Sequence, residues 1–291
     1  MSRGLSGLGR IVAPKHEYKV LKLKSPYWKP GFDYERFLIS KIKHVVKNGD
    51  IVVLSEKAIS TALGNLVDEA KVKPSLTSKF LAGFWMRKIW GYLLGPLCRL
   101  KPETIRNIRN YPIEEGSKHK ETALRVSGLL QALRPFSEGC LDVVNLPYSY
   151  AALPLKNARE LAERIRRALL KYGKKISVVI SDSDKTFSLG PIHLCSRPRC
   201  VKGLIYLGPL AYIIGASLGL KARATPVAAA GWTYSIEDLL DVCEIADRAR
   251  GYGAGRNMWE VAVKFGTGFT SITWNMLEKI PHYPVVILRR F

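Results

Sequence analysis

The chain has 291 residues, 47% of them hydrophobic, which is enough apolar material for one large domain or two ordinary ones and excludes a disordered chain. Lys and Arg total 46 against 24 Asp and Glu, so the formal net charge is +22. This charge favours anionic partners, namely nucleotides, phosphorylated cofactors, nucleic acid or a membrane surface, but does not choose among them.

Cysteine usage and hydropathy further narrow the class of protein. The odd count of five cysteines and the absence of a secretory signal predict a reducing, cytoplasmic location without disulfides. Cys195 and Cys200 have no second pair at ligand spacing, so we do not expect zinc. Residues 203–220 carry no charge and just reach the length of a membrane span, but four glycines and Pro209 favour a buried segment with a helix and no membrane contact.

The first third of the chain predicts strands around one helix. Residues 1–15 are expected to be flexible, and residues 16–24 alternate as a strand does. Asp33 is placed to cap a helix over 34–46. Residues 51–54 form a short apolar run, predicted to be a buried strand, that ends on Ser55, Glu56 and Lys57.

Aromatic and aliphatic residues then recur at helical spacing over 75–97, which predicts a core or interface helix within a smaller helical subdomain at about 75–135. Ser117 is predicted to begin the next helix. Lys118 and His119 would then lie at a helix N-terminus, where backbone N–H groups attract phosphate. A solvated basic turn is the alternative.

Two acidic segments are candidate sites. Residues 136–154 are predicted to be an irregular segment that is interrupted by prolines. Its polar groups need partners, so Asp142 either forms structural hydrogen bonds or binds a metal as a ligand. Residues 176–180 form an apolar, β-branched run that is predicted to end at Asp182. Asp182, Ser183, Asp184 and Thr186 then offer four oxygen ligands of the kind that Mg²⁺ or Mn²⁺ prefers. The alternative is that these residues only turn the chain.

The last third predicts a helix over 235–249 with acidic residues in its first turns, followed by the glycine-rich residues 251–257. The glycines and their one Arg are a weak phosphate-loop signal, because the segment lacks a Walker pattern. Residues 285–288 are predicted to be the final strand.

Three segments in the same order resemble the coenzyme F420-0:L-glutamate ligase family: GDIVVLSEKAIS at 49–60, EGCLDVVNLP at 138–147 and VVISDSD at 178–184. The resemblance covers most of the chain from about residue 28, with extra residues around 85–119 and 251–274. It implies an α+β fold of mixed sheets and packed helices over residues 16–291, in an intertwined homodimer. It also implies a ligase that uses GTP and Mn²⁺ or Mg²⁺ to join L-glutamate to a phosphorylated deazaflavin through an acyl phosphate.

Transferred position by position, the resemblance makes Asp142 and Asp182 metal ligands. Ser183 stands where the family has Thr, and the late acidic ligand falls at Glu237 or Asp238. The chain departs from the family pattern at Leu63, which replaces a Glu. The residues expected to bind nucleotide or substrate are Ser55, Lys57, Ser60, Asn145, Lys118 and His119.

These observations predict a GTP-dependent and metal-dependent amide ligase whose partners are a nucleotide and an anionic small molecule. Two alternatives remain open. A nucleic-acid-binding protein would explain the charge, with a steep salt dependence of binding. A catalytically silent, nucleotide-binding relative of the ligase would explain why Leu63 replaces the Glu of the family pattern.

Overall fold

The computed structural model describes residues 5–12, 16–198 and 200–291. The strands form an eight-stranded mixed sheet and a separate two-stranded sheet. They are β1 (Leu5–Val12), β2 (Glu17–Ser25), β3 (Ile51–Ser55), β4 (Leu66–Asp68), β5 (Tyr150–Ala152), β6 (Ser177–Leu189), β7 (Ile192–Cys195), β8 (Ile205–Tyr206), β9 (Lys221–Ala230) and β10 (His282–Arg290).

The helices are distributed over both faces of the large sheet and a separate helical region. They are α1 (Tyr34–Ile42), α2 (Glu56–Ala62), α3 (Leu76–Phe80), a π-type helix (Leu81–Leu94), α4 (Gly95–Leu97), α5 (Pro102–Arg109), α6 (Ile113–Ser127), α7 (Leu129–Ala132), α8 (Ala158–Leu170), α9 (Pro209–Ser217), α10 (Ile236–Arg250), α11 (Met258–Phe265) and α12 (Trp274–Leu277). Together with the strands they confirm the expected α+β class.

The large sheet has the order β1-β2-β10-β3-β6-β7-β8, with β9 also paired to β6. Strands β3 and β6 run parallel at its centre, in the register Ile51 to Ser177. Alternate side chains of β3 enter two different cores, Val52 packing with α1 and α8 and Val53 packing with α10. A strand buried on both faces reads as a continuous apolar run, which is why the sequence predicts it well.

Leu5–Val12, within the N-terminus that was expected to be flexible, pairs antiparallel with β2 as β1. Residues 1–4 and 13–15 lie outside the described residues. The neighbouring strand supplies the partners for β1, a long-range effect that a glycine-rich local pattern does not reveal. Asp33 caps α1 as predicted, accepting from the Arg36 N–H, but α1 ends at Ile42 instead of residue 46.

The helical region has a small core of its own, formed by Ala82, Met86, Trp90, Cys98, Ile108 and Tyr111. Trp85 and Trp90 are packed there as predicted, and both indole N–H groups donate to the Leu133 carbonyl oxygen, at 2.8 Å and 3.1 Å. Their satisfied N–H groups indicate a structural role for both rings.

The uncharged residues 203–220 form β8 and α9. None of the helices in the described ranges is long and apolar enough to cross a membrane. Gly215 allows α9 to lie directly on β6, because a Cβ atom there would lie 2.1 Å from the Phe187 Cγ. The homodimer implied by the resemblance stays a prediction.

Asp50 binds Arg289 of the final strand, β10, so its replacement should destabilise the fold. Its carboxylate is 1% exposed and accepts two hydrogen bonds from the Arg289 guanidinium of β10, at 2.8 Å and 2.7 Å. We expect Asp50→Ala to lower the free energy of unfolding by about 3 kcal/mol, measured by urea denaturation. Asp33→Ala, which removes an exposed helix cap, should cost about 1 kcal/mol. Equal losses in the two variants would contradict this role of Asp50.

Candidate functional site

The parallel pairing of β3 and β6 brings Ser55 opposite Ser181 and so places Asp182 beside the start of α2. The predicted strand end at Asp182 is wrong, because β6 continues to Leu189. Its pairing with β9 shifts register between Ile180 and Ser181 and again between Asp182 and Lys185. Such bulges re-aim side chains without ending a strand, which explains why an acidic cluster interrupts the apolar pattern here.

A cleft of about 220 Å³ opens at this bulge. Asp142 and Asp182, 40 positions apart in sequence, both line it and also line a narrow recess beside it. Six of the ten site residues expected from the sequence are therefore brought to one cleft by the fold. These six are Ser55, Lys57, Asp142, Asn145, Asp182 and Ser183.

Asp182 is held by a buried guanidinium that the sequence analysis missed. Arg197, 3% exposed, donates to the Asp182 Oδ2 at 2.8 Å and also to the Glu56 carboxylate. Burial raises the pKa of Asp182 to about 8, and the Asp184 carboxylate adds to this rise while Arg197 opposes it. Burial likewise raises the pKa of Glu56.

The neighbouring Asp184 is 7% exposed and forms a second buried ion pair, its Oδ2 lying 2.8 Å from the Arg134 Nη2. It is therefore a structural partner of Arg134 and does not line the cleft. The expectation that Asp182, Ser183, Asp184 and Thr186 act as one ligand set is wrong for Asp184 and Thr186, because the register shift between Asp182 and Lys185 interrupts the regular alternation of the strand. The Thr186 hydroxyl contacts that of Thr225.

Asp142 lies across the cleft on an irregular segment. Its Oδ2 is 3.0 Å from the Lys57 Nζ, and its Oδ1 accepts from the Val144 N–H at 3.1 Å. The carboxylates of Glu56, Asp142, Asp182 and Asp184 lie among three cations, Lys57, Arg134 and Arg197. In a chain of net charge +22, this concentration of carboxylates is the distinctive electrostatic feature near the cleft.

Asn145 binds the glycine-rich loop that forms another wall of the cleft. It adopts a left-handed φ of 58°, which Asn tolerates better than most residues. Its Oδ1 accepts from the Ala254 N–H at 2.7 Å, and its Nδ2 donates to the carbonyl oxygens of Tyr252 and Gly255. The glycine-rich loop noted in the sequence is thus fixed at the edge of the cleft, where Gly251, Gly253 and Gly255 line it.

Arg250, just before this loop, is a second basic residue that the sequence analysis did not select. It lines the cleft, its side chain is 9% exposed, and its Nη2 donates to the Ser181 Oγ at 2.7 Å. Its Nη1 has no hydrogen-bond acceptor among the described residues. A buried guanidinium nitrogen without an acceptor is costly, and an anion near it would relieve that cost.

Ser60 does not bind a ligand in this geometry, contrary to expectation. It is fully buried in α2, and its hydroxyl donates to the Leu153 carbonyl oxygen. The departure from the family pattern at Leu63 also lies outside the cleft, at the end of α2 with half of its surface exposed.

The predicted phosphate-binding helix start at Lys118 and His119 is wrong. Helix α6 begins at Ile113, so Ser117 is inside it and its hydroxyl donates back to the Ile113 carbonyl oxygen. Lys118 pairs with Glu114 on the helix surface at 3.1 Å. His119 is buried between the carboxylates of two residues, Glu69 at 2.8 Å and Glu138 at 3.1 Å.

Glu237 does not support the expected metal role either. Its carboxylate binds the Arg223 guanidinium at 2.8 Å and the His193 ring at 3.3 Å, and it does not line the cleft. Asp238, the other possibility, forms a capping box with Ser235 at the start of α10. The acidic residue of α10 that does line the cleft is Asp247.

Comparisons with known proteins agree with this fold. A family model described as F420-0:Gamma-glutamyl ligase matches residues 22–195. An uncharacterised protein of Methanocaldococcus jannaschii is 35% identical over 281 residues, which cover 92% of this chain and 94% of the relative. The coenzyme F420:L-glutamate ligase of the same organism is 29% identical over 178 residues, covering 60% of this chain and 63% of that enzyme.

The mixed α+β fold and these matches define a ligase. The chain belongs to the F420-0:gamma-glutamyl ligase family. The family match ends at residue 195, so Arg197, Arg250 and the glycine-rich loop lie beyond it.

The buried Glu69–His119–Glu138 cluster should make stability depend on pH. Although burial disfavours the charged ring, the Glu69 and Glu138 carboxylates raise the pKa of His119 to about 10. Because this pKa exceeds the unfolded value of about 6.5, the contribution is complete below pH 6.5 and is lost as the pH rises through 10. We expect urea denaturation to show this loss in the wild type and a weaker pH dependence in His119→Gln. Identical pH dependence in both proteins would contradict the charged state of His119.

Proposed function

We propose that this chain is a GTP-dependent and divalent-metal-dependent amide ligase that acts on a phosphorylated cofactor such as coenzyme F420-0. The observation that carries the proposal is the cleft itself. The carboxylates of Asp142 and Asp182 suit a cation, and Arg250, whose Nη1 has no acceptor among the described residues, suits an anion. A site that attracts both charges at once suits a metal-bound phosphate.

The donor set of the cleft fits one kind of divalent ion. Within the described ranges, no three His, Cys, Asp or Glu side chains are arranged to hold a metal by themselves. Mg²⁺ commonly needs only one or two protein carboxylates, with substrate phosphates and water completing its octahedron. Asp142 and Asp182 would hold such an ion, with the Ser183 hydroxyl at hand. When bound, the ion would neutralise and orient phosphate oxygens.

The remaining groups would position the phosphates. Arg250 directly precedes the glycine-rich loop and Arg256 lies within it, and both line the cleft together with Lys57 from the first turn of α2. The loop glycines let the backbone pack closely against Asn145: a Cβ on Gly253 would lie 3.0 Å from the Asn145 Oδ1. Holding the nucleotide phosphates and the acceptor together is the main contribution that a protein makes to phosphoryl transfer.

In the reaction that we propose, a carboxylate oxygen of the acceptor attacks the γ-phosphorus of GTP, the bond to the β-phosphate oxygen breaks, and GDP leaves. The nitrogen of an amine then attacks the acyl carbon of the resulting acyl phosphate. The bond from that carbon to the phosphate oxygen breaks, the amine loses a proton, and an amide and inorganic phosphate form. L-glutamate is the amine that the name of the M. jannaschii enzyme suggests.

The function is tested by incubating the protein with Mn²⁺ or Mg²⁺, GTP or ATP, coenzyme F420-0 and L-glutamate, and by measuring inorganic phosphate and the amide product. Acceptor-dependent phosphate release with an equal amount of amide supports the proposal. Nucleotide binding that depends on metal but never leads to turnover would instead indicate a catalytically silent relative.

Asp182→Asn should reduce turnover by about 10²-fold or more, because it removes a carboxylate ligand from the proposed metal site at nearly constant volume. The matched control is Asp33→Asn, the same change at an exposed helix cap that Asn serves equally well. Both variants should remain folded by circular dichroism. Unchanged turnover in Asp182→Asn would show that the carboxylate is structural.

Cys195 is unsuitable as a control position. Its Sγ lies 3.3 Å from the Arg197 backbone N–H, so a change there would disturb the partner of Asp182.

A further inference from the structure

One side of the helical region carries large apolar side chains that stay exposed. α3, the π-type helix and α4 follow one another without a break over residues 76–97. Ala82, Met86 and Trp90, spaced four apart, face the small core of this region. Residues offset from these by two positions lie on the other side of the helix and are exposed. We call that side the exposed helix face. Its large apolar members, each with 48% or more of its surface exposed, are Leu76, Phe80, Phe84, Tyr92, Leu93 and Leu97.

Neighbouring side chains of the exposed helix face contact one another. The Phe80 and Phe84 rings stack with their centroids 5.2 Å apart. The Lys88 Nζ lies 5.7 Å from the centroid of the Tyr92 ring, and the Arg109 guanidinium of α5 lies 4.2 Å from the same centroid. Contiguous exposed apolar surface rimmed by polar groups commonly marks a site that binds a protein or a membrane.

The charge on this part of the chain is entirely positive. Residues 72–102 contain no Asp or Glu, and none of their basic residues forms an ion pair within the described ranges. These six basic residues are Lys73, Lys79, Arg87, Lys88, Arg99 and Lys101.

The helices packed against this segment do not cancel its charge. α5 contains one Glu and two Arg residues, and α6 contains three Glu against three Lys or Arg residues. α9, whose residues also pack against the small core, carries no charged side chain. The exposed helix face is therefore apolar and cationic at once, which indicates a partner that is apolar and anionic.

A lipid surface with anionic headgroups has both properties. A helix that presents Phe and Leu side chains beside lysines is typical of helices that lie in the plane of a membrane interface, and clusters of four to eight basic residues bind anionic lipids. We propose that the exposed helix face docks on an anionic lipid surface. The Phe80 and Phe84 rings insert among the headgroups, and Lys79 and Lys88 contact the lipid phosphates. This contact is peripheral, since none of the described helices is suited to cross a membrane.

Two other occupants suit the exposed helix face less well. A second copy of this chain, meeting it across a two-fold axis, would bring the same six cations together, and like charges disfavour such a contact. Nucleic acid would suit the charge, but Leu76, Leu93 and Leu97 lack the aromatic faces on which bases stack.

Cosedimentation of the whole chain with lipid vesicles tests the proposal. At about 0.1 M KCl we expect binding to phosphatidylglycerol vesicles to be about tenfold tighter than to phosphatidylcholine vesicles, because only the former attract the cations. Raising KCl to about 1 M should weaken binding to the anionic vesicles, since salt screens this attraction. The double change Phe80→Ser and Phe84→Ser should weaken it about tenfold or more, because it removes the inserted rings.

Two matched comparisons separate this face from the rest of the surface. Leu76→Ser should weaken vesicle binding, whereas Val263→Ser, at a residue of α11 with a similar exposure of 82%, should leave it unchanged. Lys79→Gln with Lys88→Gln should weaken it about tenfold, whereas Lys171→Gln with Lys175→Gln, two exposed lysines elsewhere, should not. The variant at 79 and 88 serves as the test if the phenylalanine variant does not fold.

Equal binding to the two kinds of vesicle, binding to neither, or equal losses within either matched comparison would overturn the proposal. Binding of a single-stranded oligonucleotide that the lysine changes abolish and the phenylalanine changes preserve would instead indicate a nucleic-acid surface. A wild-type dimer that the phenylalanine changes dissociate would indicate an interface between copies. Residues 72–102 do not line the cleft, so GTP binding in the presence of Mn²⁺ should be unchanged in the variants at 76, 79, 80, 84 and 88.

Discussion

The buried guanidinium of Arg197 holds the candidate site together, because it joins carboxylates from two separate elements. Glu56 begins α2 directly after β3, and Asp182 lies in the bulged part of β6. One guanidinium thus fixes α2 against the bulge and determines where Asp182 lies in the cleft. Loss of a charged partner from a buried pair typically costs about 3–5 kcal/mol, so the arrangement is strongly constrained.

The cleft places acidic and basic side chains next to each other within one basic protein. Asp142 and Asp182 line it, and so do Arg250 and Arg256. Side chains of both charges suit a metal-bound phosphate, because the ion is positive and the phosphate oxygens are negative.

Local patterns in the sequence are sufficient to predict the central strands, the cap of α1 and the burial of the tryptophans, because each pattern involves residues that are close in sequence. The convergence of Asp142 and Asp182 could be expected only from the resemblance to a family. Arg197 was missed because its contact with Glu56 spans 141 positions and no local signal marks it. Arg250 had a faint signal, since it directly precedes the glycine-rich loop.

The wrong predictions share a physical cause. Ser117 looked like a helix cap, but α6 already begins after Pro112, and packing buries His119 between two carboxylates. Glu237 looked like a ligand, but the nearby Arg223 binds it. In both cases a tertiary ion pair satisfies a residue that appears available in the sequence, and pairings over such distances cannot be derived from local composition.

The central claim is that Asp142 and Asp182 together hold a divalent metal ion that binds the nucleotide phosphates. Anomalous diffraction from crystals grown with Mn²⁺ and a non-hydrolysable GTP analogue tests it most directly. The account predicts a manganese peak within about 2.5 Å of a carboxylate oxygen from each of Asp142 and Asp182, next to the analogue's phosphates. An analogue bound with its phosphates away from both carboxylates, or manganese bound elsewhere, would contradict it.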